Sequence, residues 1–145
     1  MHVSTQVSNQ QLIETARRAR ERAYARYSNY SVGCALLDEH GGIHIGCNVE
    51  NETYPEGTCA EAGAIAAMVV SGARRIETIA VAGGYDELAT CTPCGGCRQK
   101  IAEFAGDGTV VVNGTDASWT SVFSMRVGID GVGSVTATNG GFAEA

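Results

Sequence analysis

Cys59-Ala60-Glu61-Ala62-Gly63-Ala64-Ile65-Ala66-Ala67-Met68-Val69-Val70-Ser71-Gly72 is the stretch whose reading decides the fold. From Cys59 to Val70 it is apolar nearly all round, and Ser71-Gly72 ends it as a helix C-cap does. A helix of that composition is buried against a sheet rather than laid on a surface. Its first turn breaks the pattern with a thiol and a carboxylate, two groups that packing does not require.

The neighbouring segments supply the sheet. Ile76 to Ala82 is β-branched and short enough for a buried strand, closed by Gly83-Gly84, and Val110 to Val112 makes another. Between them, Cys94 to Ala105 offers a further helix with Ile101, Ala102, Phe104 and Ala105 inward and Gly106 after its end. Upstream, Ser31 to Leu37 and Ile43 to Val49 read as strands, joined by Asp38-Glu39-His40-Gly41-Gly42 in a hairpin turn. Before them Leu12, Ile13, Ala16, Ala19, Ala23 and Tyr27 recur at helical spacing, which predicts a helix over Gln11–Tyr27 with Ser8 or Asn9 as its cap. Strand following helix in this order predicts an α/β protein, a three-layer α/β/α sandwich with a mixed sheet. From Gly128 onward Gly, Ser, Thr and Asn dominate, and no element is assigned there. With no internal repeat, residues 1–145 read as a single domain whose tail is atypical from about 116.

A chain of 145 residues buries about 68 to 70% of its unfolded surface as one domain, so it needs no staples. The net charge of −6 opposes a nucleic-acid polymer as partner, because such binding needs a basic face to release counterions. A free small molecule is the expected partner. Arg17, Arg18, Arg20, Arg22 and Arg26 share the first helix with Glu14 and Glu21 and read as a solvated face. Met1 to Gln10 are polar and no stretch is long and apolar enough to span a bilayer, so the expectation is no secretory signal, no membrane and a cytoplasmic location. There the six cysteines stay reduced, which favours metal binding over disulfides. Cys34 and Cys47 lie in apolar runs and read as core.

Cys59 and the pair Cys94 and Cys97, in Pro93-Cys94-Gly95-Gly96-Cys97, have the spacing of zinc ligands. A zinc site that does chemistry keeps three protein ligands and leaves the fourth position to water, whereas a structural site is closed by four. Both ligand segments precede apolar helices, so the thiols are expected at two helix N-termini, where backbone N–H groups stabilise thiolates. Glu61, two residues beyond Cys59, is placed beside the metal without binding it, where a proton shuttle belongs. Arg98, adjacent to Cys97, is expected to offset the thiolate charge by a hydrogen bond to a sulfur. Other readings stay open on the residues alone. Cys94 and Cys97 could be a redox dithiol, Cys91 could close a four-thiolate structural site, and Glu61 could merely cap its helix.

Four motifs together resemble the small zinc cytidine deaminases, over about Gln11 to Val112. Tyr27-Ser28-Asn29-Tyr30-Ser31-Val32-Gly33-Cys34-Ala35-Leu36 is similar to that family's Tyr-Ser-x-aromatic-x-Val-Gly-Ala-Ala-Leu stretch. Asn48-Val49-Glu50-Asn51 is similar to its ribose-binding segment, and Cys59-Ala60-Glu61 and Pro93-Cys94-Gly95-Gly96-Cys97-Arg98-Gln99 to its zinc signatures. The resemblance implies one Zn²⁺ per subunit on Cys59, Cys94 and Cys97, with Glu61 as acid and base in the hydrolytic deamination of cytidine and deoxycytidine in pyrimidine salvage. It implies Asn48 and Glu50 on the ribose hydroxyls, Tyr30 near base and sugar, and the backbone of Ala60 on the pyrimidine. It further implies a homotetramer in which Tyr54 belongs to a segment that reaches a neighbouring site. The Cys-Ala-Glu form, in place of His-x-Glu, implies a free nucleoside as substrate. Deamination of another aminopyrimidine nucleoside, such as a nucleoside antibiotic, and a non-catalytic zinc module are the alternatives.

Two departures from the family stand out. Ala62 occupies the place where many relatives have an arginine on the zinc-bound sulfurs, so charge compensation must differ. The family's Leu-Leu-Pro segment and its following phenylalanine have no counterpart after Pro93, and neither Phe123 nor Phe142 receives a role.

Overall fold

The computed structural model describes residues 7–89, 91–113, 120–124 and 134–138, and only the backbone from residue 107 onward. Helix α1 (Asn9–Arg20) is followed by strands β1 (Ser31–Asp38) and β2 (Ile43–Cys47), helix α2 (Ala60–Ser71), strand β3 (Ile76–Gly84), helix α3 (Gly95–Phe104) and strands β4 (Ala105–Asn113), β5 (Thr120–Ser124) and β6 (Ser134–Thr138). The strands form one sheet in the order β2-β1-β3-β4-β5-β6. β3 and β4, joined through α3, are parallel, and the other neighbours are antiparallel, so the sheet is mixed. The α/β architecture is as expected, and strands β5 and β6 occupy parts of the tail to which no element was assigned. Residues 1–6 and Phe142 lie outside the described residues.

Two apolar clusters lie on the two faces of the sheet, and period-two alternation of the strands separates them. Cys34, Leu36, Ile76, Ile79 and Val81 point to the face that carries α2 and α3, where they meet Ala64, Ile65, Met68 and Ile101. Ala35, Ala80 and Ala82 point to the other face, under Leu12, Ile13 and Ala16 of α1. Because both faces are covered, β1 and β3 are apolar at consecutive positions rather than alternating.

Close approach of helix to sheet depends on two glycines of the hairpin. A Cβ on Gly33 would lie 2.1 Å from the Ala16 carbonyl oxygen of α1, and one on Gly46 would lie 2.2 Å from the Ala60 carbonyl oxygen of α2. Any side chain at Gly46 would therefore lift the N-terminus of α2 from the sheet. At its other end α2 stops on Gly72 in the left-handed conformation, φ 99°.

Three expectations need correction. The first helix ends at Arg20, not Tyr27, because the backbone of Tyr24 pairs elsewhere: Tyr24 N–H donates to Asn48 O at 3.0 Å and Glu50 N–H donates to Tyr24 O at 2.8 Å. That parallel bridge to Val49 is a long-range contact that helical periodicity does not reveal. β2 likewise ends at Cys47, and Val49 continues in separate bridges to Tyr24 and Thr58. Nor is the arginine cluster only a solvated face. Arg17 and Arg18 pair with Glu14, but Arg20 donates its Nε to Ser31 O at 3.2 Å and its Nη2 to the carbonyls of Gly84 and Tyr85.

Candidate active site

Cys59 and Cys94 are the N-cap residues of α2 and α3, and neither side chain is spent on capping its helix. Thr58, just before Cys59, exchanges two backbone hydrogen bonds with Val49 (2.9 and 2.8 Å), which fixes the approach of the chain to α2. Cys97 lies in the first turn of α3 and is 1% exposed. The sulfurs of Cys59, Cys94 and Cys97 lie within 4.8 Å of one another, with Cys59 Sγ and Cys94 Sγ at 3.9 Å. Tetrahedral zinc with Zn–S bonds of about 2.3 Å holds its sulfurs about 3.8 Å apart, so this donor set fits the ion in both number and spacing.

Electrostatics at the cluster follow from the helix ends. Hydrogen bonds from the backbone N–H of Cys97, and further from that of Gly96, hold the Cys94 thiol below its ordinary pKa. Burial pushes the thiols of Cys59 and Cys97 up, and the nearby charge of Glu61 adds to both shifts. Glu61 sits in the first turn of α2, is 4% exposed, and stands outside the group of three sulfurs. Its charge also raises the pKa of Cys34 and of Cys91, in both cases after burial.

Cys91 is not part of the sulfur cluster. It packs over Gly83 at the end of β3, where a Cβ would lie 2.6 Å from its Sγ and 3.3 Å from Tyr30 Cε1. Arg98 donates its Nε to Pro93 O at 3.0 Å, and its backbone N–H donates to Cys94 O at 2.9 Å. Side chains on a helix lean toward its N-terminus, and from the fourth position of α3 that lean brings the guanidinium onto the ligand loop. Arg98 thus braces the loop through a carbonyl, where a bond to sulfur was expected.

The residues expected near a nucleoside gather on the edge formed by the start of β1 and the segment after β2. Asn48 accepts from Val32 N–H at 2.8 Å and donates its Nδ2 to Tyr30 O at 2.9 Å, which leaves one amide N–H and a carbonyl lone pair for a ligand. Glu50 accepts from the N–H groups of Tyr27 (2.8 Å) and Ser28 (3.2 Å) and from the Ser28 hydroxyl. These bonds, led by that of the hydroxyl, hold its carboxyl below the usual range, so it is an anion at neutral pH. Tyr30 stacks edge-on against Tyr85, with ring centroids 5.0 Å apart and planes at 83°. Ala60 is fully buried at the head of α2. Tyr54 opens a 3-10 turn, Tyr54–Glu56, and is 83% exposed.

Sequence reasoning missed Arg20 and Tyr85. Arg20 ties the start of β1 to the end of β3 through three backbone carbonyls, and Tyr85 is one of those it holds. Neither left a signal, because the sequence separation of 64 or 65 residues is invisible to local patterning.

The profile of the family described as "Cytidine and deoxycytidylate deaminase zinc-binding region" matches residues 6–113. The chain is 45% identical over 95 residues to a cytidine deaminase of Sporosarcina psychrophila, covering 66% of this chain and 68% of that one. Over 108 residues it is 40% identical to a cytidine deaminase of Halalkalibacterium halodurans, covering 74% and 80%. Its fold superposes with a TM-score of 0.67 on a crystal structure of cytidine deaminase from Burkholderia pseudomallei, at 35% identity over 90% of this chain and 93% of that one. The structure of cytidine deaminase from Mycobacterium tuberculosis gives the same score at 34% identity, over 72% and 84%. With the profile spanning both cysteine segments and most of the sheet, the chain belongs to the cytidine and deoxycytidylate deaminase zinc-binding family.

Proposed function

We propose that the chain catalyses the hydrolytic deamination of cytidine and deoxycytidine to uridine and deoxyuridine with release of ammonia, as a zinc enzyme of pyrimidine salvage. One observation carries the reading: a carboxylate that is 4% exposed stands in the first turn of the helix capped by Cys59, one of three thiols converging from two helix N-termini. Cys59, Cys94 and Cys97 are the ligands. Zinc held by them acts as a Lewis acid and makes a water molecule nucleophilic at neutral pH.

Glu61 does the proton work. Its carboxylate takes a proton from the attacking water and passes it to N3 of the cytosine ring as C4 is attacked, then takes the second proton from the new C4 hydroxyl and delivers it to the departing amine as the C4–N bond breaks. Its burial keeps bulk water from competing for those transfers. Asn48 offers a donor and an acceptor to a ribose hydroxyl, and the ionised Glu50 accepts from another. Tyr30 borders the base, and the backbone of Ala60, at the head of α2, recognises the pyrimidine edge. Arg98 holds the Pro93 loop, and the N-termini of α2 and α3 offset thiolate charge where Ala62 brings none.

The working enzyme is proposed to be a cytoplasmic homotetramer, in which Tyr54 completes a neighbour's site. In support, Tyr54 is 83% exposed and Ile43, Ile45 and Val49 also stand exposed along the edge of the sheet at β2. No described helix is long and apolar enough to cross a membrane.

The test is an absorbance assay for loss of cytidine, with and without a chelator, on the parent protein and Glu61→Ala. Turnover is expected in the parent, and stopping it with chelator supports the metal. Glu61→Ala should retain zinc and fold while kcat falls at least about 10²-fold. Undiminished turnover in Glu61→Ala would exclude the assigned proton shuttle.

A further inference from the structure

Two thiols stand close to the zinc cluster without joining it. Cys34 is fully buried in the core between sheet and helices. Cys91 is half-buried, and its surroundings differ: it lies next to the Tyr30 ring over Gly83 and within the fields of Glu61 and Cys59. Both Cys91 and Tyr30 rest on Gly83. A Cβ built there would meet Cys91 Sγ at 2.6 Å and Tyr30 Cε1 at 3.3 Å, so only the bare backbone of β3 leaves room for the pair.

Tyr30 is therefore held from three directions. The Tyr85 ring packs edge-on at 5.0 Å, the Asn48 amide holds the Tyr30 carbonyl at 2.9 Å, and the Cys91 side chain shares the floor of Gly83 with the ring. Arg20 secures the base of this arrangement, bonding to the carbonyls of Ser31, next to Tyr30, and of Tyr85. Cys91 also lies in the field of Glu61.

We propose that Cys91 is a positioning residue for substrate: by anchoring the phenol of Tyr30 over Gly83, it sets the distance between the ring that borders the base and the acid and base Glu61. The inference rests on the reading of the chain as a cytidine deaminase. Cys91 touches neither the metal nor the reacting atoms, and its effect runs through Tyr30. A loosened ring weakens capture of the nucleoside in ground state and transition state alike, which raises KM and leaves kcat largely in place.

The experiment uses the full chain loaded with zinc and compares the parent with Cys91→Ala, Cys91→Ser, Tyr30→Phe and the double variant Cys91→Ala/Tyr30→Phe. Steady-state kinetics with cytidine are paired with calorimetric binding of uridine and with metal analysis. Cys91→Ala should raise both KM for cytidine and Kd for uridine by about 5- to 10-fold, with kcat within about 2-fold, as expected for loss of one hydrogen bond. Zinc content should be unchanged. Cys91→Ser, whose hydroxyl can still accept from the phenol, should restore most of the affinity. Tyr30→Phe keeps the ring and its stacking, so it should show the same rise in KM, and it carries the test if Cys91→Ala does not fold. The double variant should be no worse than the poorer single one. Loss of zinc in Cys91→Ala would make Cys91 a ligand and overturn the proposal, as would unchanged KM in both single variants or additive effects in the double. A parent enzyme that leaves cytidine untouched would sink the deaminase reading and this inference with it, whereas active parent and indifferent variants would sink this inference alone.

Discussion

Asp38 shows how much one side chain contributes to the hairpin. It is 4% exposed, accepts from His40 N–H and Gly42 N–H, both at 2.8 Å, and lies 2.6 Å from His44 Nε2. Burial alone would raise its pKa, but the bonds from His44, Gly42 and His40 outweigh it and hold the carboxyl below its ordinary value. A depressed folded-state pKa contributes stability that is present above the ordinary aspartate range and lost as pH falls through the folded value. Chemical denaturation from neutral pH down to about pH 2 should therefore show the parent losing stability below about pH 4, and Asp38→Asn a flatter acid limb from a lower plateau. At this scale the sequence was legible where chemistry is local. The grouping of the three thiols was legible in their spacing, whereas Arg20 meets Gly84 and Tyr85, partners far away in the chain.

Helix α2 could be read from composition because it has an apolar run, a start marked by cysteine and a glycine stop; α3 was legible from its cysteine start, but its expected last residue, Ala105, is extended and opens β4, which takes in Gly106. The end of α1 could not be read either, since the residues after Arg20 keep the helical period while Tyr24 is captured by Asn48 and Glu50. Tertiary pairing outweighed propensity there. Gly46 belongs to the same scale. Its replacement by alanine would drive a methyl group into the carbonyl of Ala60, a backbone atom that cannot rotate away. Gly46→Ala should cost about 1 to 3 kcal/mol in denaturant unfolding and should also weaken zinc retention, because the displaced turn carries Cys59. Normal zinc content with full destabilisation would show that the first turn of α2 adjusts independently of the sheet.

At the scale of the molecule, alternation of helix and strand was enough to predict layers and a mixed sheet, but not the order β2-β1-β3-β4-β5-β6. Order depends on which edges meet, and the Gly- and Ser-rich tail offers little periodicity from which to foresee β5 and β6. The donor set is likewise a property of the whole: Cys59 and Cys94 are separated by α2 and β3, so an ion on both joins distant parts of the chain. Binding that favours the folded state stabilises it by mass action. Chelation should lower Tm by several degrees and zinc should restore it, measured by scanning calorimetry; an unchanged Tm would mean that the two helix ends are held without the metal. A catalyst built in this way has a lifetime tied to nutrient supply. When the cation is scarce, molecules that open more often become better prey for proteases, and the amount of enzyme falls together with its specific activity.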